Sequence, residues 1–274
     1  MTSEQLRRVL LLHGVHVDFQ PRVSTESNKI VGFEALARIP HGYSKGDTTT
    51  VGVIPPGEYL PWLTTETRIL LFTKVLAAVT TVMDNHPDWF FLREDLVTVG
   101  VNIEPLLLSS ASVRNRLLAL PPKYRRHLEL ELLEHRIDDV VTLTTRMRDL
   151  NKQGFRFVVD DFGTEGAGLR ALMFKSSGVG KIKFDGVLLP GRSNHSTGQD
   201  SLLFFKDLAE LVVKTGLRVV AEQIERKDQF DQVAPHVHEI QGFYFGAPAP
   251  FHVWADRARK QIEPVCQTAF RRGK

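Results

Sequence analysis

The stretch VHVDFQPRVSTESNKIVGFEALA, Val15 to Ala37, contains two runs of strand character, Val15 to Val23 and Lys29 to Ala37, separated only by Ser24 to Asn28. A parallel crossover needs a dozen or more residues, so this short connection predicts an antiparallel hairpin. Outward from the hairpin, strand-like runs alternate with helical stretches almost to the end of the chain, the pattern of strands that are each covered by a following helix. Strands are predicted over Leu96 to Ile103, Leu128 to Leu133, Phe155 to Val159, Gly180 to Phe184, Leu217 to Ala221 and Glu239 to Phe245. Helices are predicted over Glu58 to Met83, after Ser109 and Ser110, and over Leu202 to Lys214, Lys227 to Val233 and Val253 to Ile262. A further helix is capped by Asp138 and Asp139, carries Val140, Leu143, Met147 and Leu150 on one face, and ends near Gly154. The stretch His41 to Gly57 is Gly- and Thr-rich, and the polar segment Gly191 to Gln199 reads as a surface loop.

With about eight strands and no glycine-rich dinucleotide fingerprint after the first, the pattern predicts an α/β fold, an eight-stranded (β/α)8 barrel rather than an open doubly wound sheet. No linker or fixed-period repeat interrupts it. The 274 residues are therefore expected to form a single domain, residues 1–274, with the barrel core over about residues 13–262.

Composition narrows the class. An apolar share of 42% and a formal charge of +3 describe an ordinary globular chain. The apolar runs Val9 to Leu12 and Leu211 to Val213 are too short to span a bilayer, and no charged-then-apolar leader opens the sequence, which predicts a cytoplasmic protein with no membrane span. The lone cysteine, Cys266, excludes an internal disulfide framework and a cysteine zinc cluster, so any metal must be held by oxygen or histidine. The basic runs Lys123 to His127 and Arg271 to Lys274 are short and read as solvated faces, so no DNA binding is expected.

Acidic and amide residues recur on the strands: Glu34, Asn102, Glu131, Asp160 with Asp161, and Glu222, with Lys183 and Gln241 on the remaining two. Strand ends of a parallel barrel converge on one rim, so these residues would meet around a single pocket. Any one of the acids taken alone reads more readily as a helix cap or a solvated loop residue than as a site residue. Several of them lie in apolar runs, FEAL, ELELLE, VVDDF and VVAEQ, and buried acids demand partners. Crowded carboxylates repel one another unless a divalent cation offsets the charge, and an all-oxygen set with one amide suits Mg²⁺ or Mn²⁺. Asp160 and Asp161 would point to opposite faces of an ideal strand, yet a turn at the strand end would bring both to the rim.

From Phe19 to Pro248 these residues resemble the EAL-domain family. The resemblance is carried in order by Gln20-Pro21, Glu34-Ala35-Leu36 with Arg38, VNI at Val101 to Ile103, ELLE at Glu131 to Glu134 and DDFGT at Asp160 to Thr164. KFD at Lys183 to Asp185, AEQIE at Ala221 to Glu225, and QGFYF from Gln241 complete the series. It implies a TIM-like barrel whose first strand runs antiparallel to the rest, and hydrolysis of cyclic di-GMP to linear pGpG with two Mg²⁺ or Mn²⁺ ions. By the same resemblance, Glu34, Asn102, Glu131 and Asp160 would hold one metal, and Asp160 with Asp161 the second. Glu34, Lys183 and Glu222 form the catalytic set, with Lys183 and Glu222 positioning or deprotonating water. Gln20 and Arg38 would contact substrate phosphate, Gln241 would support the site through hydrogen bonds, Glu134 would anchor the loop after DDFGT, and the chain would form a homodimer.

The sequence departs from the family pattern at Glu165 and Gln223, both in place of glycine, in the spacing from Asp161 to Lys183, and in a longer segment over His41 to Pro56. No expected ligand is lost. The retained acids favour an enzyme. The changed loop at Glu165 motivates an alternative reading, a catalytically weak or inactive cyclic di-GMP receptor. A third reading is a scaffold that docks partners through the Leu202 to Lys214 helix or the C-terminal helix.

Overall fold

The computed structural model describes residues 2–45, 48–54, 56–133, 139–164, 177–190 and 198–257. Among the described residues there are nine strands: β1 (His16–Ser24), β2 (Ile30–Lys45), β3 (Thr48–Ile54), β4 (Thr98–Ile103), β5 (Leu128–Leu133), β6 (Arg156–Phe162), β7 (Val179–Phe184), β8 (Arg218–Ala221) and β9 (Glu239–Gln241). Eight of them close a ring in the order β1-β9-β8-β7-β6-β5-β4-β2, and β1 pairs back onto β2. β1 is antiparallel to both of its neighbours, while the pairs from β2 through β4 to β9 are parallel. This is a TIM-like barrel with an antiparallel first strand. The hairpin that decides it turns at Asn28, whose φ of 54° suits an asparagine in a tight turn. Ser24 Oγ accepts from the backbone of Glu26 and Ser27 there.

Outward-facing strand residues such as Val99, Val101, Leu130, Phe157 and Ile182 are buried beneath the helices. The helix Thr65–Asn85 turns Phe72, Val75, Leu76, Val79 and Met83 inward, and Val140–Lys152 does so with Leu143, Met147 and Leu150, the helical spacing expected of a covering layer. Phe251 packs on Phe19 and Phe33, with ring centroids 5.3 and 5.1 Å apart, and fixes the odd strand β1 from outside.

Several boundaries differ from the sequence reading. His41 to Gly57 is mostly strand, because β2 continues to Lys45 and folds back as β3 through the β-favouring run TTTVGVI. The expected helix over Glu58 to Met83 is broken at Leu63, and a new helix starts at Thr65, capped by Thr64, whose side chain accepts from Thr67 N. β9 stops at Gln241 because Gly242 passes so close to Ile224 that a Cβ would lie 2.0 Å from its carbonyl oxygen. An unanticipated helix, Ser3–Leu12, carries a capping box between Thr2 and Gln5 and buries Leu6 and Leu10. Part of the expected loop Gly191 to Gln199 lies outside the described residues, and the helix Gly198–Lys214 already includes its end. Among the described residues no helix is long and apolar enough to cross a membrane.

Many inward-facing positions are polar, and these form two tiers. The lower joins Arg22, Glu129, Lys181 and Glu239; the upper, one alternation along the same strands, holds Gln20, Glu131, Lys183 and Gln241 together with acids from β2, β6 and the end of β8.

Candidate active site

The upper tier centres on Lys183. Its Nζ lies 3.2 Å from Glu34 Oε2, 3.1 Å from Glu131 Oε2, and 2.9 Å from both Asp160 Oδ1 and Glu222 Oε1. The ammonium is buried, so these four carboxylates replace its water shell. Glu34 is further fixed by Asn102 Nδ2, donating at 2.9 Å, and by Gln241 Nε2 at 2.6 Å. Gln241 also donates to Gln20 Oε1 at 3.1 Å, and Gln20 donates to the carbonyl of Gly246. Eight of the expected site residues thus converge, from seven strands and the residue that follows β8. Asp161 joins them by the anticipated turn: its φ is +56°, a left-handed backbone that costs an ordinary residue about 1 kcal/mol.

Glu131 is seated against Gly100, where a Cβ would come within 1.8 Å of Oε1, and that oxygen is buried without a hydrogen-bond donor. An unsatisfied buried carboxylate oxygen is costly, and here it faces a crowd of like charges. Burial and then the neighbouring carboxylates Glu34 and Asp160 push Glu131 up to about 8, although Lys183 opposes the shift. Burial likewise raises Asp160 and Glu222, and with Asp160 nearby it raises Asp161 to about 6. Burial works against the charge of Glu34 too, but Lys183 and the donors Gln241 and Asn102 outweigh it and hold that carboxyl below its usual range. Lys183 stays cationic despite burial because the acids around it raise its pKa.

Two overlapping triads can each bring one oxygen per residue within 4.8 Å of the others: Glu34, Glu131 and Asp160, and then Asp160, Asp161 and Glu222. Asp160 belongs to both. Fully ionised, five carboxylates against one ammonium would leave four negative charges, the charge of two divalent cations, whereas burial and crowding favour holding part of that charge as protonated acid until cations bind. The hard oxygen donors and the orphaned Glu131 Oε1 fit such cations. Glu222, expected to act on water, lies in the second triad.

The acids lie between two cavities, of about 300 and 210 Å³, which share Glu34, Leu36, Asp160 and Asp161 in their walls. The larger is mainly apolar, walled by Tyr59, Phe72 and Leu107, and carries the Arg68–Glu104 ion pair. The smaller is the more polar of the two, with Gln20, Gln223 and Gln241. Arg38 lines neither cavity: its Nε bonds Asp18 Oδ2 at 2.9 Å. Glu134 and Glu165 lie outside the described residues. The sequence reading missed the Arg68–Glu104 pair, whose only legible sign was an acid directly after VNI. It noted Gln223 only as a departure, and that residue too has positive φ, +54°.

Residues 3–248 match the family described as EAL domain. The chain belongs to the EAL domain family. Cyclic di-GMP phosphodiesterase PdeL of Escherichia coli (strain K12) is 27% identical over 255 residues, covering 91% of this chain and 67% of PdeL. The chain spans between 28% and 67% of the length of the first curated relatives. Among solved structures, EAL enzyme Bd1971 in its cAMP- and cyclic-di-GMP-bound form superposes with a TM-score of 0.76 at 18% identity, covering 93% of this chain and 68% of that one. The PaMucR phosphodiesterase in complex with c-di-GMP gives 0.72 at 24% identity, covering 92% and 98%. At such identities these two structures speak to the fold, the same EAL barrel.

Proposed function

We propose that this EAL domain is a metal-dependent phosphodiesterase that hydrolyses cyclic di-GMP to linear 5′-pGpG, using two Mg²⁺ or Mn²⁺ ions. The observation that carries the reading is the surplus of carboxylates over cationic partners at the barrel mouth, gathered into two triads between two cavities. The names of relatives such as PdeL support the substrate.

Glu34, Asn102, Glu131 and Asp160 would hold one cation, and Asp160 with Asp161 the other. When bound, such ions supply Lewis-acid polarisation of a phosphodiester and a water of lowered pKa. The protein's own residues do the rest. Lys183, held cationic, orients the acids and the attacking water rather than removing its proton. Glu222, ionised once cations offset the crowd of acids, takes the proton as the water oxygen bonds to phosphorus, and the 3′-oxygen leaves as the P–O bond breaks and is protonated from solvent. Gln241 keeps Glu34 in place, Gln20 faces the smaller cavity, and Arg38 reaches a phosphate by leaving Asp18. A cytoplasmic homodimer, with Glu134 anchoring the loop after Thr164, belongs to the same proposal.

Purified protein with Mg²⁺ or Mn²⁺ is expected to convert cyclic di-GMP to pGpG, followed by chromatography, and Glu34→Ala to abolish product. Absence of turnover with either ion at any protein concentration would sink the reading, and tight metal-independent binding without product would assign the chain to the receptor class.

A further inference from the structure

Among the described residues, three non-glycine residues adopt positive φ: Asn28, Asp161 and Gln223. Asn28 sits in the β1–β2 turn, an ordinary place for it. The other two stand on the wall of the smaller cavity. Asp161 is explained, since its turn delivers a carboxylate to the second triad. Gln223 delivers none, and glycine would adopt the same backbone without strain. Strain kept at the edge of a site points to what the side chain does there.

Gln223 Nε2 donates to Asp185 Oδ2 at 2.6 Å, and the other oxygen, Oδ1, accepts from Val187 N at 2.8 Å. Asp185 follows β7, and its N–H donates to the carbonyl of Phe162, the residue after Asp161. Glu222 N donates to the carbonyl of Phe184 on the other side. Asp185 is therefore a carboxylate wedged between the strand ends that carry Asp161 and Glu222, yet it is absent from both triads. With each oxygen occupied, it is held in one orientation beside them.

We infer that Gln223 is a positioning residue for the second cation: by clamping Asp185 between the ends of β6 and β8 it fixes the triad Asp160, Asp161 and Glu222 before an ion arrives. The inference rests on the two-cation reading above. Groups that orient metal ligands from behind commonly govern affinity by tenfold or more.

The test is calorimetric titration of the full chain with Mn²⁺, together with melting of the metal-free protein, for wild type, Gln223→Met and Gln223→Gly. Methionine keeps the strained backbone and removes the donor; glycine removes both. One of the two Mn²⁺ binding events is expected to weaken about tenfold in both variants, while Gln223→Gly melts no lower than wild type. A purely structural role would follow melting temperature and leave the isotherms alone. Isotherms of both variants superimposing on a two-ion wild type would overturn the role of Gln223 and leave the proposed function standing; a wild type that takes up no Mn²⁺ would overturn the two-cation reading and this inference with it.

Discussion

The barrel interior carries two tiers of buried charge, on the same strands and two residues apart, and their charge balance differs. In the lower tier Arg22 lies 2.5 Å from Glu129, and Lys181 lies 2.9 Å from Glu129 and 2.8 Å from Glu239. Two cations face two acids there, with Arg218 at the margin. Glu129 is held well below the carboxylate range because Arg22 and Lys181 outweigh its burial. In the upper tier one ammonium faces five carboxylates, and most of those acids are pushed upward. Buried charges that match close a structure, whereas buried charges left over call for a ligand to complete them.

The largest expected effect separates the tiers by substitution. Arg22→Met and Lys183→Met should each destabilise the metal-free protein by about 3–5 kcal/mol, because each strips buried acids of their partner. Saturating Mg²⁺ should add the same increment to Arg22→Met as to wild type, but a larger one to Lys183→Met, where the cations meet still more uncompensated charge. Denaturant unfolding with and without Mg²⁺ measures both increments. Equal increments for the two variants would erase the distinction between a closed tier and an open one.

A smaller effect comes from pH. A carboxyl whose folded pKa lies above its ordinary value contributes stability that is present at low pH and lost as pH rises through the folded pKa. Metal-free protein should therefore lose stability across the window from the ordinary 4.5 of a glutamate to about 8 for Glu131, with Asp161 crossing at about 6. Glu129 works in the opposite sense, its contribution being lost only in strong acid. Mg²⁺ binds the ionised acids, so it should flatten or invert that slope. Melting curves at several pH values, with and without the ion, check the sign; a metal-free stability that rises with pH would show that the upper acids are not strained by their charge.

These two tiers were unequally legible in the sequence. The barrel could be read because its strands and helices differ in period and because the Ser24 to Asn28 connection is too short for a crossover. The upper tier could be read because its acids recur at strand ends, where a barrel gathers them. The lower tier could not. LELELL over Leu128–Leu133 alternates as a half-solvated strand would, so nothing in its letters says that both glutamates face a closed interior. Arg22 likewise looks like a surface residue in a hairpin, although it is fully buried. Such placement is set by ring closure between β1 and β9, more than two hundred residues apart, which no local pattern encodes.

Arg38 belongs to neither tier, and it carries the smallest prediction. It was expected to meet substrate phosphate, yet it is paired with Asp18, the two side chains being 18% and 23% exposed. A partly exposed pair of this kind is worth about 0.2–1 kcal/mol, so Arg38 can trade it for a phosphate at little cost. Asp18→Asn removes the competitor and should lower KM for cyclic di-GMP by about 1.4- to fivefold, the equivalent of that energy, with kcat unchanged. Arg38→Lys should raise KM, since an ammonium cannot make the paired contacts of a guanidinium with two phosphate oxygens. Steady-state kinetics of the two variants decide the matter. If KM stays level in both, Arg38 serves only to tie β1 to β2, and phosphate recognition falls to the side chains of the smaller cavity.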